Sequence, residues 1–266
     1  MIFPYSTLLL ALAALLPACS SNPPMPPALD RQRYQLSGPG RCDTTTNRGV
    51  DVAVSYFLLG DNTGPARLIN DRLRQLAVGS IVGWLDSAAV AAHPDARTDL
   101  DKAARLFASS YDSVAEEMGF NACWQLDTKA DTVFASPKAL SVRFETYAYT
   151  GGAHPNTNTA FYTFDRRSGH ALTLRDVVAD TTALLNAVER AFRRNQALTA
   201  QASLEDRGYF LHDGRFFLPT NWALGRTGMI FYYNPYEIAA YVVGPIELTV
   251  PYAQLNGILR NEWSGL

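Results

Sequence analysis

The sequence has few of the residues that most catalytic signatures require. Its 266 residues include four histidines, at 93, 154, 170 and 212, and three cysteines, at 19, 42 and 123. There is no His-x-His, His-Glu-x-x-His, Cys-x-x-Cys or Cys/His cluster, so no zinc site is expected. Gly-x-Ser-x-Gly, the paired Ser-x-x-Lys of acyl-serine enzymes and a phosphate-cradling loop are missing as well. The net charge is −2, with both signs mixed along the chain. A sequence-independent nucleic-acid binder needs a basic stripe, and none is visible, so nucleic acid is not an expected partner. The apolar run Leu8 to Leu16 is too short to span a bilayer as a mature helix. No internal repeat and no heptad pattern occurs. These absences leave no catalytic motif, no metal and no cofactor to expect.

What is present is an ordinary globular composition, 47% hydrophobic and 18% charged, enough for one large or two small domains. The N-terminus reads as a targeting segment. An apolar core ends in Leu16-Pro17-Ala18-Cys19, a small residue before the cut and a cysteine after it. This looks like a bacterial lipobox, with residues 1–18 as signal peptide and Cys19 as the lipidated residue. Met1 to Ser6 lacks Lys and Arg, and Pro17 is uncommon at its position, so an ordinary cleaved signal is the alternative. Residues 19–40, beginning SSNPPMPPA after Cys19, read as a Pro-rich tether. Ser20 is not the aspartate that retains many lipoproteins in the inner membrane. The expected location is therefore the cell envelope, at the outer membrane facing the periplasm, with anchoring through the lipid alone. Cys42 and Cys123 remain as an even pair in an exported chain, which suggests a disulfide; two buried thiols are the alternative.

The body of the chain reads as α+β: mixed, mostly antiparallel sheets packed with helices. Val50 to Leu59 is β-rich, and Ala66 to Leu85 has apolar residues near helical spacing. Asp99 to Met118 is a second helix, with Gly119 as its stop. Strands are expected at Cys123 to Phe134, Ala139 to Tyr149 and Thr159 to Asp165, forming a meander. Thr173 caps a short helical turn, and Thr182 to Gln196 is amphipathic. Further strands are expected at Tyr209 to Leu211, Arg215 to Pro219, Gly228 to Tyr233 and Ile246 to Pro251, with Tyr252 to Trp263 as a closing helix. Blocks of like elements, without β-α alternation, indicate α+β rather than a doubly wound sheet. The expected division is an N-terminal α+β domain at 41–150 and a C-terminal domain at 151–266.

Four stretches carry a family resemblance: YTGGAHPNT (Tyr149 to Thr157), HALTLRDVVAD (His170 to Asp180), FYYNPYEIAAYVVG (Phe231 to Gly244) and IELTVPYAQL (Ile246 to Leu255). In this order they resemble the extracytoplasmic domain family found in the lysozyme-sensing anti-sigma factor RsiV and in the N-terminal region of the peptidoglycan deacetylase PdaC. The upstream part, around Arg67-Leu68-Ile69-Asn70, is similar to the companion domain of those proteins. Ala240 stands where the family often has proline, and Pro155 where it often has glycine. Arg166 stands where the deacetylase's catalytic domain requires a second aspartate. The resemblance therefore implies the sensor or accessory part of such proteins, binding a lysozyme-like protein or peptidoglycan without catalysis.

The candidate binding residues lie in two of these stretches: Tyr149, Gly151, Gly152 and His154 in one, Pro235, Tyr236, Glu237 and Tyr241 in the other. Gly151 and Gly152 are expected to take conformations that a side chain would strain, so as to present His154 and Tyr149. Tyrosines offer large amphipathic area at low entropic cost and also stack on sugars. Core packing is the competing reading for each of them, and alternation prevents Tyr232 and Tyr233 from both facing inward. His154 as general base and Glu237 as general acid would instead make an envelope hydrolase or deacylase. A turn-fixing role for His154 and a local capping role for Glu237 are the structural alternatives.

Overall fold

The computed structural model describes residues 28–264 apart from 39, 44 and 119–121. The expected signal peptide at 1–18, the expected lipidation site Cys19 and the expected helix stop at Gly119 lie outside the described residues. Residues 29–35, expected within the tether, form a strand, β1 (Leu29–Gln35), antiparallel to β2 (Val50–Leu59). Its side chains are mostly polar and exposed, as on a sheet edge, so the segment reads as linker in sequence. The Tyr34 hydroxyl holds it down by donating to Asp101 at 3.0 Å.

A helical crossover follows: α1 (Gly64–Val82), α2 (Ser87–Ala92) and α3 (Leu100–Met118). Thr63 caps α1 by accepting the Ala66 N–H, and Pro65 occupies its first turn. Buried Asn70 fixes α1 to β2, accepting the Leu59 N–H at 2.7 Å and donating to the Leu59 carbonyl at 3.0 Å. The crossover returns the chain to β3 (Trp124–Ala135), parallel to β2, as a parallel pair requires. β4 (Ala139–Tyr149) and β5 (Asn156–Asp165) complete the sheet as a meander in the order β1-β2-β3-β4-β5. The division expected at residue 150 falls inside the β4–β5 hairpin, so β5 belongs to this first sheet.

Cys42 and Cys123 form a disulfide next to the start of β3. It closes a loop of 81 residues' separation, a constraint worth on the order of 4 kcal/mol in the chain-entropy model. Beside it, Trp124 packs on Phe107 and Tyr111, and the Tyr111 hydroxyl accepts the Gly49 N–H. Gly49 has no room for a side chain: a Cβ there would lie 2.3 Å from the Arg41 carbonyl oxygen.

Beyond β5 come α4 (Leu174–Val177), α5 (Thr181–Asn195) and a second sheet of β6 (Asn221–Leu224), β7 (Gly228–Tyr233) and β8 (Ile246–Pro251). At the start of α4 the Asp176 carboxylate accepts both the Thr173 N–H and the Thr173 hydroxyl, each at 2.7 Å. α5 buries Leu184, Ala187, Val188, Ala191 and Phe192 in the second core, together with Met229, Phe231 and Val250 of the sheet. No described helix is long and apolar enough to cross a membrane.

Two expectations fail in this half. Residues 209–211 and 215–219 do not form strands; only an isolated His212–Arg215 bridge remains, around Asp213 and Gly214 with φ of 53° and 70°. Their backbone groups are taken up elsewhere, the Phe210 N–H by the Ile238 carbonyl and the Phe217 carbonyl by the Tyr233 hydroxyl. Residues 252–263 do not form a helix. A single 3-10 turn at Tyr252–Gln254 gives way to turns, with Gly257 at φ 75°. Leu255, Leu259 and Trp263 are buried all the same, and the Trp263 indole donates to the Asp176 carbonyl at 3.0 Å.

The sheets meet along β5, whose outer edge is satisfied by side chains. Asn221 accepts the Phe161 N–H at 3.3 Å. Asn234 accepts the Thr159 N–H at 2.8 Å and donates to the Thr159 carbonyl at 3.0 Å. One amide side chain thus reproduces both bonds of a strand neighbour and blunts the edge.

Candidate functional site

The site is built from the β4–β5 loop and the turn that follows β7. In the loop, Gly151 has φ 82°, in the left-handed region that favours glycine. Gly152 does not share it; a Cβ there would meet only the His154 carbonyl oxygen, at 3.9 Å. The expectation that both glycines are conformationally required is thereby corrected to Gly151 alone. Pro155 follows His154, and its carbonyl oxygen is the hub of the loop. It accepts from the Tyr241 hydroxyl at 2.9 Å and lies 3.0 Å from His154 Nδ1. A carbonyl only accepts, so Nδ1 carries a proton and donates it to this bond.

The second part is the turn Asn234-Pro235-Tyr236-Glu237. The Glu237 N–H donates to the Asn234 carbonyl at 3.1 Å, closing a four-residue turn. Proline at its second position and a positive φ at its third define type II geometry, which ordinarily takes glycine at the third. Here that residue is Tyr236, at φ 67°. Glu237 holds the turn from below: its carboxylate accepts the Asn234 N–H at 2.9 Å and the Thr220 N–H. Burial pushes its pKa above the ordinary glutamate value, and the two backbone N–H groups partly offset this. These bonds are the local capping role. Among the described residues no hydrogen bond joins Glu237 to His154.

The turn and the loop come together through three rings. His154 stacks on Tyr241 with centroids 4.0 Å apart and planes 18° apart. Tyr236 lies against Tyr241 at 5.5 Å and 31°. Tyr241 is thus the middle ring, held by its hydroxyl to Pro155, and the residues from the two distant stretches share one surface. Tyr236 is 56% exposed, and next to Tyr241 stand Val242 at 92% and Val243 at 48%. Large apolar side chains that project this far are uncommon on a monomer surface and mark contact sites when grouped. Val242 and Val243 carry no chemistry and stood out in sequence only as the end of the third family stretch.

The other tyrosines divide by burial. Tyr233 is fully buried, whereas Tyr232 is half-buried against Phe161, as strand alternation demands. Tyr149 ends β4, half-buried, with no ring contact recorded to the stack. Pro235 is half-buried at the turn. Of the four histidines only His154 is partly covered; His93, His170 and His212 are exposed. Asp165, next to Arg166, is paired with Arg167, whose guanidinium holds it below the usual carboxylate range. Among the described residues no group of three or more His, Cys, Asp or Glu is arranged to hold a metal ion.

Two family models match separate parts of the chain. Residues 175–253 match the model of a family described as a protein of unknown function, DUF3298. Residues 63–157 match the model described as deacetylase PdaC. His154 and Pro155 fall in the second match, Tyr236 and Tyr241 in the first, so the stack bridges the two. Two solved structures share the fold over nearly their whole length. A member of the DUF3298 family from Bacteroides fragilis is 21% identical, covering 88% of this chain and 95% of its own, with a TM-score of 0.65. A DUF3298 family protein from Pseudomonas aeruginosa is 19% identical, covering 90% and 97%, with a TM-score of 0.64. No curated protein matches the sequence.

Proposed function

We propose that this chain, whose segments match the DUF3298 and PdaC models, is a lipid-anchored binding protein of the cell envelope that docks a lysozyme-like protein without catalysis. The observation that carries the reading is the exposed ring of Tyr236, held at φ 67° on the stack with Tyr241 and His154. A tyrosine fixed by its backbone and by a neighbouring ring loses little entropy on binding, which suits an anchor residue entering a partner's cleft. The protruding valines that follow Tyr241 in the chain offer further apolar area. A lysozyme-like partner is what the resemblance to RsiV suggests. Peptidoglycan is the other ligand the same family relationship brings, and sugars also stack on exposed tyrosine rings.

The enzymatic alternative has less support in the geometry. Glu237 is occupied by two backbone N–H groups, and His154 gives one nitrogen to Pro155. A general acid–base pair needs both groups within reach of a common substrate proton.

The test is titration of the full-length protein with a c-type lysozyme and, separately, with purified sacculi. Saturable binding of lysozyme without release of acetate or muropeptides supports the proposal. Turnover that His154→Ala abolishes refutes it in favour of the hydrolase. Binding to sacculi alone replaces the partner while retaining the non-catalytic reading. Anchoring is checked by mass spectrometry of the mature N-terminus, where an acylated Cys19 is expected and an unmodified start at another residue contradicts it.

A further inference from the structure

A second feature lies on the first sheet. Between the C-terminal part of α1 and the face of β4 and β5 is an open cavity of about 450 Å³. That volume lies within the range of small-ligand sites, roughly 300–1,000 Å³. Its walls carry three aromatic rings, Trp84, Phe144 and Tyr162, the last two packed edge to face at 5.9 Å. Ser80, Thr146 and Asn158 add neutral polar groups. None of the lining residues is charged. Arg72 lies near enough to act on Tyr162 but does not line the cavity.

The polar atoms in this cavity are unequally used. Thr146 shares a hydrogen bond with Thr128 at 2.9 Å, and Ser80 donates to the Ala77 carbonyl at 2.8 Å. By contrast, the Trp84 indole N–H, the Tyr162 hydroxyl and the Asn158 amide have no hydrogen-bond partner among the described residues. Three unengaged groups, able between them to donate and to accept, therefore face one cavity with aromatic walls.

The helix on the opposite wall keeps the space open. Gly79 stands inside α1, where glycine is unfavourable relative to alanine. Nothing steric requires it: a Cβ at Gly79 would meet no neighbouring atom within 4 Å, and its φ is not left-handed. The glycine thus brings the fold a local disadvantage and leaves room in front of Trp84 and Asn158.

We infer that this cavity between α1 and the β4–β5 face binds an uncharged sugar. A pyranose offers what the walls ask for: apolar C–H faces to lie on the rings, and hydroxyl or acetamido groups to meet the free indole, phenol and amide. An acyl chain would bury those three polar groups unpaired, and a charged ligand would find no counter-charge. The cavity shares no lining residue with the aromatic stack, so either reading can hold without the other.

The test is calorimetric titration of the full-length protein with the β-1,4 tetramer of N-acetylglucosamine, with two-dimensional NMR following the tryptophan indole resonances. Saturable binding with a shift of the Trp84 indole is expected. Gly79→Leu should weaken it at least ten-fold by filling the cavity while leaving the unfolding midpoint unchanged or higher. Trp84→Ala should weaken it by a similar factor, and Tyr236→Ala should leave it unchanged. Absence of saturable binding overturns the inference. So does binding that survives both Gly79→Leu and Trp84→Ala, which places the sugar elsewhere, or binding lost in Tyr236→Ala, which assigns it to the aromatic stack.

Discussion

At Gly151 and at Tyr236 the backbone enters the same left-handed region, with φ of 82° and 67°, and the chain meets it with opposite residues. In the β4–β5 loop the residue is glycine, which takes the conformation without a steric penalty. In the turn after β7 it is a tyrosine, at a position where glycine would relieve the strain. Three other described non-glycine residues have positive φ, namely Asn47, Ala197 and Asp213; Tyr236 is the only aromatic among the four. Asparagine and aspartate tolerate this region, whereas a bulky residue there is an outlier. The loop is shaped by what its backbone needs. The turn carries a bulky side chain where glycine would fit, and under the proposed function that side chain is the docking anchor.

The comparison predicts how each part responds to change. The largest effect is expected at Asn234, which fixes the displayed turn to β5 through Thr159. Asn234→Ala leaves both Thr159 backbone groups without their partner and should cost about 2–3 kcal/mol of stability in a denaturant titration. A loss below about 0.5 kcal/mol would mean the turn is held by other means. Next is Gly151→Ala, which forces a side chain into the left-handed region and should destabilise by about 1–2 kcal/mol. The mirror change, Tyr236→Gly, should leave stability unchanged or raise it by up to about 1 kcal/mol, because relief of strain exceeds the added freedom of the unfolded chain. If Tyr236→Gly destabilises as much as Gly151→Ala does, the contrast between the two positions is lost. The smallest effect is expected at Gly152→Ala, within about 0.5 kcal/mol, as for an unremarkable surface site.

The buried support of the turn gives a pH dependence. Burial raises the folded-state pKa of Glu237 above its unfolded value, so protonation favours the fold. Its contribution is full below the unfolded value of about 4.3 and is lost as pH rises through the folded value. Carboxyl carbon shifts followed by NMR should give a Glu237 midpoint above the ordinary glutamate range. A midpoint below it would mean that the Asn234 and Thr220 N–H groups outweigh burial.

Much of the architecture was legible because burial and period agree. VDVAVSYFLL reads as a strand and is one, β2, with the bounds its pattern gives; Ala139 to Tyr149 does the same as β4. Thr173 reads as the cap of a short helical turn, and it is the N-cap of α4. The failures share a cause: local pattern is silent about where a segment's backbone bonds go. β1 is polar on both faces and pairs only because β2 offers it an edge. Residues 209–219 are apolar enough for strands, yet side chains and carbonyls from β7 and its following turn occupy their backbone groups. Residues 252–263 bury apolar groups at near-helical spacing, but Gly257 turns left-handed between them. In the candidate site, the two tyrosine- and glycine-rich stretches could be singled out from sequence. The order of the rings could not, since it depends on Tyr241 reaching back across the fold to the Pro155 carbonyl. The charge-free cavity beside α1 was likewise invisible, because its walls come from α1, β4 and β5 together.

Under the proposed function, Tyr236 is kept for its ring rather than for its backbone. The most direct measurement is the affinity of the Tyr236→Gly protein for a c-type lysozyme, taken beside its unfolding midpoint. The account predicts binding weakened at least about ten-fold, or 1.4 kcal/mol, in a protein no less stable than the parent. Unchanged affinity in the stable variant would contradict it, and would leave the His154–Tyr241–Tyr236 stack as a feature of the fold alone.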